Sequence, residues 1–210
     1  MKIKLSKKHK KESTKWLSRH LNDEYVIKSK QDGYRSRSSY KLLQIDEKFK
    51  FLSVSYNVLD LGCAPGGWLQ VCKRKCPSNS KILGIDKLLI KKIEGVNFYQ
   101  EDIFSCITQA KIHKFFNESS IDLLMSDMSP NSTGNKQIDH LRIISLIERV
   151  LEISKIFLKV DGTLVMKLFQ GGAQGDLIEK MQKSLKLIKY FKPKASRSES
   201  SETYLIAKKR

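Results

Sequence analysis

No apolar stretch of this 210-residue sequence approaches the roughly 18–20 residues that a membrane-spanning helix requires. The opening segment "MKIKLSKKHKKESTKW" has no hydrophobic run that could act as a secretory signal. Its basic residues are lysines, with Glu12 among them, which makes a poor transit peptide. A cytoplasmic protein with no membrane attachment is the expectation. Cysteine is sparse, and Cys63, Cys72, Cys76 and Cys106 follow no disulfide-framework spacing. Cys72 and Cys76 lie four apart, but no second Cys or His pair stands near to complete a zinc site, so no metal is expected. Small buried thiols in a reducing compartment are the reading that remains. Acids are scarce as well. Against 40 Lys and Arg there are 22 Asp and Glu, leaving a net charge of +18 at pH 7. An excess of that size points to a polyanionic partner, nucleic acid first. Lysine kept only for solubility is the competing reading.

What is present suits one folded domain. The chain is 40% hydrophobic and 30% charged, enough for a sizeable core at this length. Residues 1–30 hold ten Lys or Arg against Glu12, Asp23 and Glu24, with little apolar periodicity before Trp16. They read as a basic arm leading to a short helix, with the domain proper over 31–210. In "SRSSYKLLQIDEKFKFL" (36–52) the apolar residues Tyr40, Leu43, Ile45, Phe49 and Leu52 recur at three- and four-residue spacings, predicting an amphipathic helix capped by Ser36 or Ser38. Strand patterns follow at 58–62, 81–86, 96–100, 121–127, 162–169 and 203–208. Helix-length segments separate them, the clearest over 136–160. Strands alternating with helices imply right-handed crossovers and a mostly parallel sheet with helices on both faces. Toward the C-terminus, Lys180, Lys183, Lys186, Lys189, Lys192, Lys194 and Arg197 form a run without an acid, stepping by three along much of a helix-like segment. With the N-terminal arm, this run is the expected surface for RNA phosphates.

The first strand empties into a turn of small residues, "NVLDLGCAPGGWLQV" (57–71), with Gly62, Pro65, Gly66 and Gly67 ahead of Trp68. Open α/β sheets bind ligands at such carboxyl ends. Asp60, Asp86, Asp102 and Asp127 all fall at or just past strand ends. Asp86 suits a grip on ribose hydroxyls, and Asp102 with Ile103 and Phe104 suits an adenine. Helix capping is the bland role for any one of these acids, but the matched set favours a nucleoside ligand. A dinucleotide fits poorly, because Pro65 removes an N–H and the glycine spacing is not that of a pyrophosphate cradle. A nucleoside without a pyrophosphate, such as S-adenosyl-L-methionine, fits better.

Taken in order, "GYRSRSSYKL", "LDLGCAPGGW", "SDMSPNSTG", "VMKLFQG" and "SRSESSETYLIA" resemble the FtsJ/RrmJ family of RNA ribose 2′-O-methyltransferases. The branch acting on uridine in large-subunit (23S) ribosomal RNA is the nearest. The likeness runs from about Trp16 to the C-terminus. It implies a single Rossmann-like α/β methyltransferase domain with a mostly parallel seven-stranded sheet and an antiparallel last strand. It also implies a tetrad of Lys41, Asp127, Lys167 and Glu202. The cofactor would be S-adenosyl-L-methionine, held by Gly66, Trp68, Asp86, Asp102 and Asp127. The partner would be ribosomal RNA or the large ribosomal subunit, and the protein a monomer. One departure is Glu199, where bacterial members usually carry Arg, which removes a phosphate contact from the docking surface. The tetrad makes chemical sense by itself. A ribose hydroxyl is a weak nucleophile that must lose its proton as it attacks. Desolvation disfavours the ammonium form of a lysine, so Lys167, ending a buried strand, is the expected general base, oriented by Asp127. Lys41 and Glu202 would position the ribose. An RNA-binding assembly factor without catalysis and a messenger-RNA cap methyltransferase are the other readings. All four tetrad residues disfavour the first, and no visible aromatic cap-binding pair supports the second.

Overall fold

Alternation along the strands divides the core into two layers. The computed structural model describes residues 18, 21–117, 120–169 and 176–210. Most of the basic arm expected over 1–30 therefore lies outside the described residues. The strands are β1 (Asn57–Leu61), β2 (Lys81–Asp86), β3 (Asn97–Gln100), β4 (Ile121–Ser126), β5 (Leu158–Phe169), β6 (Leu185–Phe191) and β7 (Glu202–Lys209). They form one sheet in the order β3-β2-β1-β4-β5-β7-β6. The pairs β1–β2, β2–β3, β1–β4 and β4–β5 are parallel, while β7 runs antiparallel to both β5 and β6. The mostly parallel seven-stranded sheet and its antiparallel last strand are as expected.

Among the described residues, the helices are α1 (Glu24–Gln31), α2 (Ser39–Phe49), α3 (Gly67–Lys75), α4 (Cys106–Phe116), α5 (Lys136–Phe157) and α6 (Asp176–Ser184). One sheet face sends Leu59, Leu61, Leu83, Ile85, Leu164 and Met166 against Ile112 and Phe116 of α4, Val150 and Ile153 of α5, and Leu177 and Met181 of α6. The other sends Val58, Ile82, Leu123, Met125, Val165 and Ile206 against Leu42 and Ile45 of α2 and Leu69 and Cys72 of α3. Such period-two alternation, buried on both sides, is what helices on both faces of a sheet require. Burying apolar surface in both layers, at about 25 cal/mol per Å², is the main stabilising term.

Several boundaries differ from the sequence patterns for local reasons. The helix expected over 36–52 begins at Ser39 and stops at Lys50, which takes a left-handed conformation (φ 54°). Neither Ser36 nor Ser38 supplies the predicted cap: Ser38 makes no capping hydrogen bond, and the Ser36 and Ser38 hydroxyls bond each other at 2.7 Å. The long helix ends at Phe157 and passes straight into β5, four residues ahead of the predicted strand start. The lysine run is the larger correction. Its helix, α6, ends at Ser184, and 185–191 is β6, the edge strand. Lys186 lies opposite Lys208 and Lys189 opposite Ile206, so three steps on β6 match two on β7. Leu187, at φ 52°, is the extra residue. A bulge of this kind converts the two-residue period of a strand into a local three-residue step, which sequence pattern alone reads as helix.

The chain runs from β1 outward through β2 to β3, then returns to β4 on the other side of β1. This reversal opens a crevice at the carboxyl ends of β1 and β4, where open sheets bind ligands.

Candidate active site

Four elements bring the tetrad together. Asp127 follows the last residue of β4, and Lys167 sits near the end of β5. Glu202 opens β7 opposite Phe169, and Tyr204 lies directly across from Lys167. Lys41 is in the first turn of α2, which covers this side of the sheet. The Lys167 ammonium lies 2.9 Å from Asp127 Oδ1 and donates to the Asp127 backbone oxygen at 2.7 Å. Lys41 Nζ pairs with Glu202 Oε1 at 2.7 Å. All are recessed: the side chains of Lys41, Glu202 and Lys167 are only 11%, 9% and 8% exposed. Charges so nearly buried are costly unless paired, and each has its partner.

Tyr204 joins the two pairs. Its hydroxyl donates to Asp127 Oδ1 at 2.6 Å, and Lys41 Nζ stands 5.7 Å from the centre of its ring. The ring is fully buried and tilts against Trp68, 5.9 Å between centroids. Burial alone would raise the Asp127 carboxyl, and this is the largest single effect. The ammonium groups of Lys167 and Lys41, with the Tyr204 and Lys167 hydrogen bonds, outweigh it and hold the group below the usual carboxylate range. Burial, then the Asp127 and Glu202 charges, push the Tyr204 phenol well up, so it stays a donor. Tyr204 lies inside the motif "SRSESSETYLIA" but has no role among the residues that the resemblance implies. The signal that finds it is positional: it stands two residues past Glu202 on β7, hence on the same face.

A cavity of about 610 Å³ opens beside Asp127, lined by Gly62, Ala64, Asp86, Asp102, Ile103 and Phe104 among others. That volume is in the range of small-ligand sites. Asp86 is held from both sides: Oδ2 accepts the Ala64 N–H and Oδ1 the Leu88 N–H, each at 2.8 Å. Each oxygen keeps a further lone pair for a ligand hydroxyl. Asp102 accepts the Phe104 N–H at 3.0 Å and pairs with Lys87 at 2.9 Å. Gly62 (φ 71°) must lack a side chain, because a Cβ there would stand 1.9 Å from Met128 Cγ. The structure thus gathers Asp86, Asp102 and Asp127 around one cavity. Gly66 and Trp68 do not line it. The Trp68 indole is buried and donates to the Ser38 carbonyl at 2.9 Å, tying α3 to the start of α2. Asp60 does not line the cavity either. It is buried, one carboxyl oxygen has no hydrogen-bond partner among the described residues, and burial followed by the Asp127 and Asp86 charges pushes its carboxyl well up. No group of three or more acids, His or Cys among the described residues has metal-site geometry, and no helix there is long and apolar enough to cross a membrane.

The donor set fits S-adenosyl-L-methionine. Asp86 faces the cavity with free lone pairs for a ribose diol. Asp102 adjoins the apolar Ile103 and Phe104, as an adenine requires, and the acidic lining suits a sulfonium cation.

Known proteins resemble this chain over most of its length. The model of the FtsJ-like methyltransferases matches residues 34–210. The chain is 45% identical over 204 residues to the ribosomal RNA large subunit methyltransferase E of Wolbachia sp. subsp. Brugia malayi, covering 97% of this chain and 92% of that protein. It is 43% identical over 212 residues to the protein of the same name from Rickettsia rickettsii, covering 99% and 93%. A crystal structure from Plasmodium falciparum, described as that of a ribosomal RNA methyltransferase, superposes with a TM-score of 0.71 at 30% identity, covering 84% of this chain and 98% of that one. The chain belongs to the FtsJ-like methyltransferase family.

Proposed function

We propose that this protein transfers a methyl group from S-adenosyl-L-methionine to the 2′-hydroxyl of a uridine ribose in large-subunit (23S) ribosomal RNA, with Lys167 as general base, during ribosome maturation. The observation that carries the reading is the recessed Lys167–Asp127 pair beside the cavity lined by Asp86 and Asp102. When bound, the cofactor supplies an electrophilic methyl carbon to which the ribose oxygen bonds as the carbon–sulfur electron pair returns to sulfur. Lys167 acts from its neutral form. Both remaining N–H groups keep their acceptors, the Asp127 carboxylate and carbonyl, and the lone pair faces away from them to take the hydroxyl proton. The ammonium that results is stabilised by the Asp127 carboxylate already in contact with it. Tyr204 and Lys41 also favour the ionised form of that carboxylate, and the Lys41–Glu202 pair offers a donor and an acceptor to position the ribose. Large-subunit ribosomal RNA as substrate is supported by the names of the full-length relatives, and the uridine by the motif resemblance. The test is product identification. Large ribosomal subunits or their RNA, incubated with the protein and isotope-labelled cofactor, should yield labelled 2′-O-methyluridine on digestion to nucleosides. Label on a base, or on no nucleoside, would contradict the proposal.

A further inference from the structure

The ten residues after Asp86, 87–96, form neither helix nor strand, yet they make one wall of the cavity through Lys87 and Leu88. Their own packing is thin. Leu88 and Leu89 are 68% and 75% exposed, and Ile90, Ile93 and Val96 turn inward. At the far end of this loop, Arg35 supplies what packing does not. Its guanidinium donates to the carbonyls of Lys91 (2.7 Å) and Lys92 (2.9 Å), and also to that of Pro65 (3.1 Å) on the glycine turn opposite. The arginine is itself anchored, since its backbone N–H donates to Gln70 Oε1 on α3 at 2.8 Å. Asp86 joins the same two loops at the cavity end by accepting the N–H groups of Ala64 and Leu88. Gly66 fits this arrangement. A Cβ there would stand 2.9 Å from Arg35 Nη1 and 3.0 Å from Ile93 Cδ1, so the glycine admits the guanidinium between the loops.

We infer, resting on the cofactor reading above, that Arg35 is a positioning residue for the cofactor: it clamps the glycine turn to the 87–93 loop and so sets the width of the cavity between them. The planar fork of arginine is what the task needs, because it presents several donors in fixed directions to carbonyls on two different segments. A lysine carries the same charge as a single point and reaches one segment at a time. The tetrad residues are not part of this clamp, so its loss acts on cofactor affinity and spares the chemical step.

The test compares Arg35→Ala and Arg35→Lys with the parent by calorimetric titration of S-adenosylhomocysteine, steady-state kinetics and amide hydrogen exchange. The alanine variant should bind about tenfold more weakly and the lysine variant about three- to fivefold, with the cofactor KM raised in step. At saturating cofactor, kcat and the RNA KM should stay within about twofold, a split that simple destabilisation does not produce. Amides of 87–93 should exchange faster in the unliganded variants. If the alanine variant does not fold, the lysine variant carries the same test. A parent that binds while every folded variant binds within twofold of it overturns the role of Arg35 alone. A parent that binds no S-adenosylhomocysteine overturns the cofactor reading and this inference with it.

Discussion

The hydroxyl of Tyr204 helps Lys167 and Lys41 hold Asp127 in its charged form. It donates to the same Oδ1 that Lys167 contacts, and a hydrogen bond to a charged group contributes about 1.5–3 kcal/mol. Tyr204→Phe should therefore lower unfolding stability near pH 7 by about that amount, measured by denaturant titration. The pH dependence follows from Asp127, whose carboxyl is lower in the folded protein than in the unfolded chain. Stability from such a group is fully present above its unfolded value of about 3.9 and is lost as pH falls through the lower folded value. The gap between parent and variant should accordingly be constant from about pH 5 to 8 and shrink below about pH 4. A gap that widened in acid would contradict this account of Asp127. Lys41, Asp127, Lys167 and Glu202 are legible in the sequence because each sits inside a short motif whose neighbours are equally distinctive. Tyr204 and Arg35 were not, for different reasons. Tyr204 acts through cross-strand register with Lys167, and Arg35 through carbonyls of segments 30 and 56 residues away.

Among the elements, β6 and the loop after it show how charge patterns mislead. Lys180, Lys183 and Lys186 are paired with Glu148, Glu179 and Asp161 at 2.7–2.8 Å, one acid a helical turn away and two distant in sequence, so each already has a counter-charge. Lys192 donates to the carbonyls of Ser198 and Ser200 and shapes the turn leading to Glu202. Lys189 and Lys194 have no ion-pair partner among the described residues, and both are exposed. Lys189 lies opposite Ile206 and so on the sheet face that carries Tyr204, while Lys194 lies in the loop toward Glu202. Phosphate contacts release counterions, so each should add about 0.7 to the slope of log affinity against log salt for single-stranded RNA. Lys189→Gln with Lys194→Gln should flatten that slope by about 1.4 and raise the RNA KM. Lys183→Gln with Lys186→Gln should leave both near the parent. Equal effects from the two double variants would mean that net charge, not placement, draws RNA to the protein. The strands of the central sheet were legible because two-sided burial leaves short apolar runs between turn signals. The edge strand was not, because its bulge and its lysines hide the alternation.

For the whole molecule, strand order does what no single motif states. The return from β3 to β4 sets the cavity at the ends of β1, β2 and β4, and the insertion of antiparallel β7 beside β5 carries Glu202 and Tyr204 to Lys167. Asp127 belongs to both halves, lining the cavity while holding Lys167. Sequence patterning yields the parallel crossovers from helix–strand alternation, whereas the antiparallel last strand follows only from family resemblance. The central claim is that a neutral Lys167 removes the ribose proton. Arginine keeps the charge but cannot give up its proton near neutral pH, so Lys167→Arg separates proton removal from electrostatic positioning. The decisive measurement is the single-turnover rate of methyl transfer to ribosomal RNA by this variant, at saturating cofactor and with cofactor affinity checked by calorimetry. The account predicts a rate reduced by about 10²- to 10⁴-fold, the usual contribution of a general base, with cofactor affinity within about threefold of the parent. An arginine variant that kept most of the parental rate would contradict it.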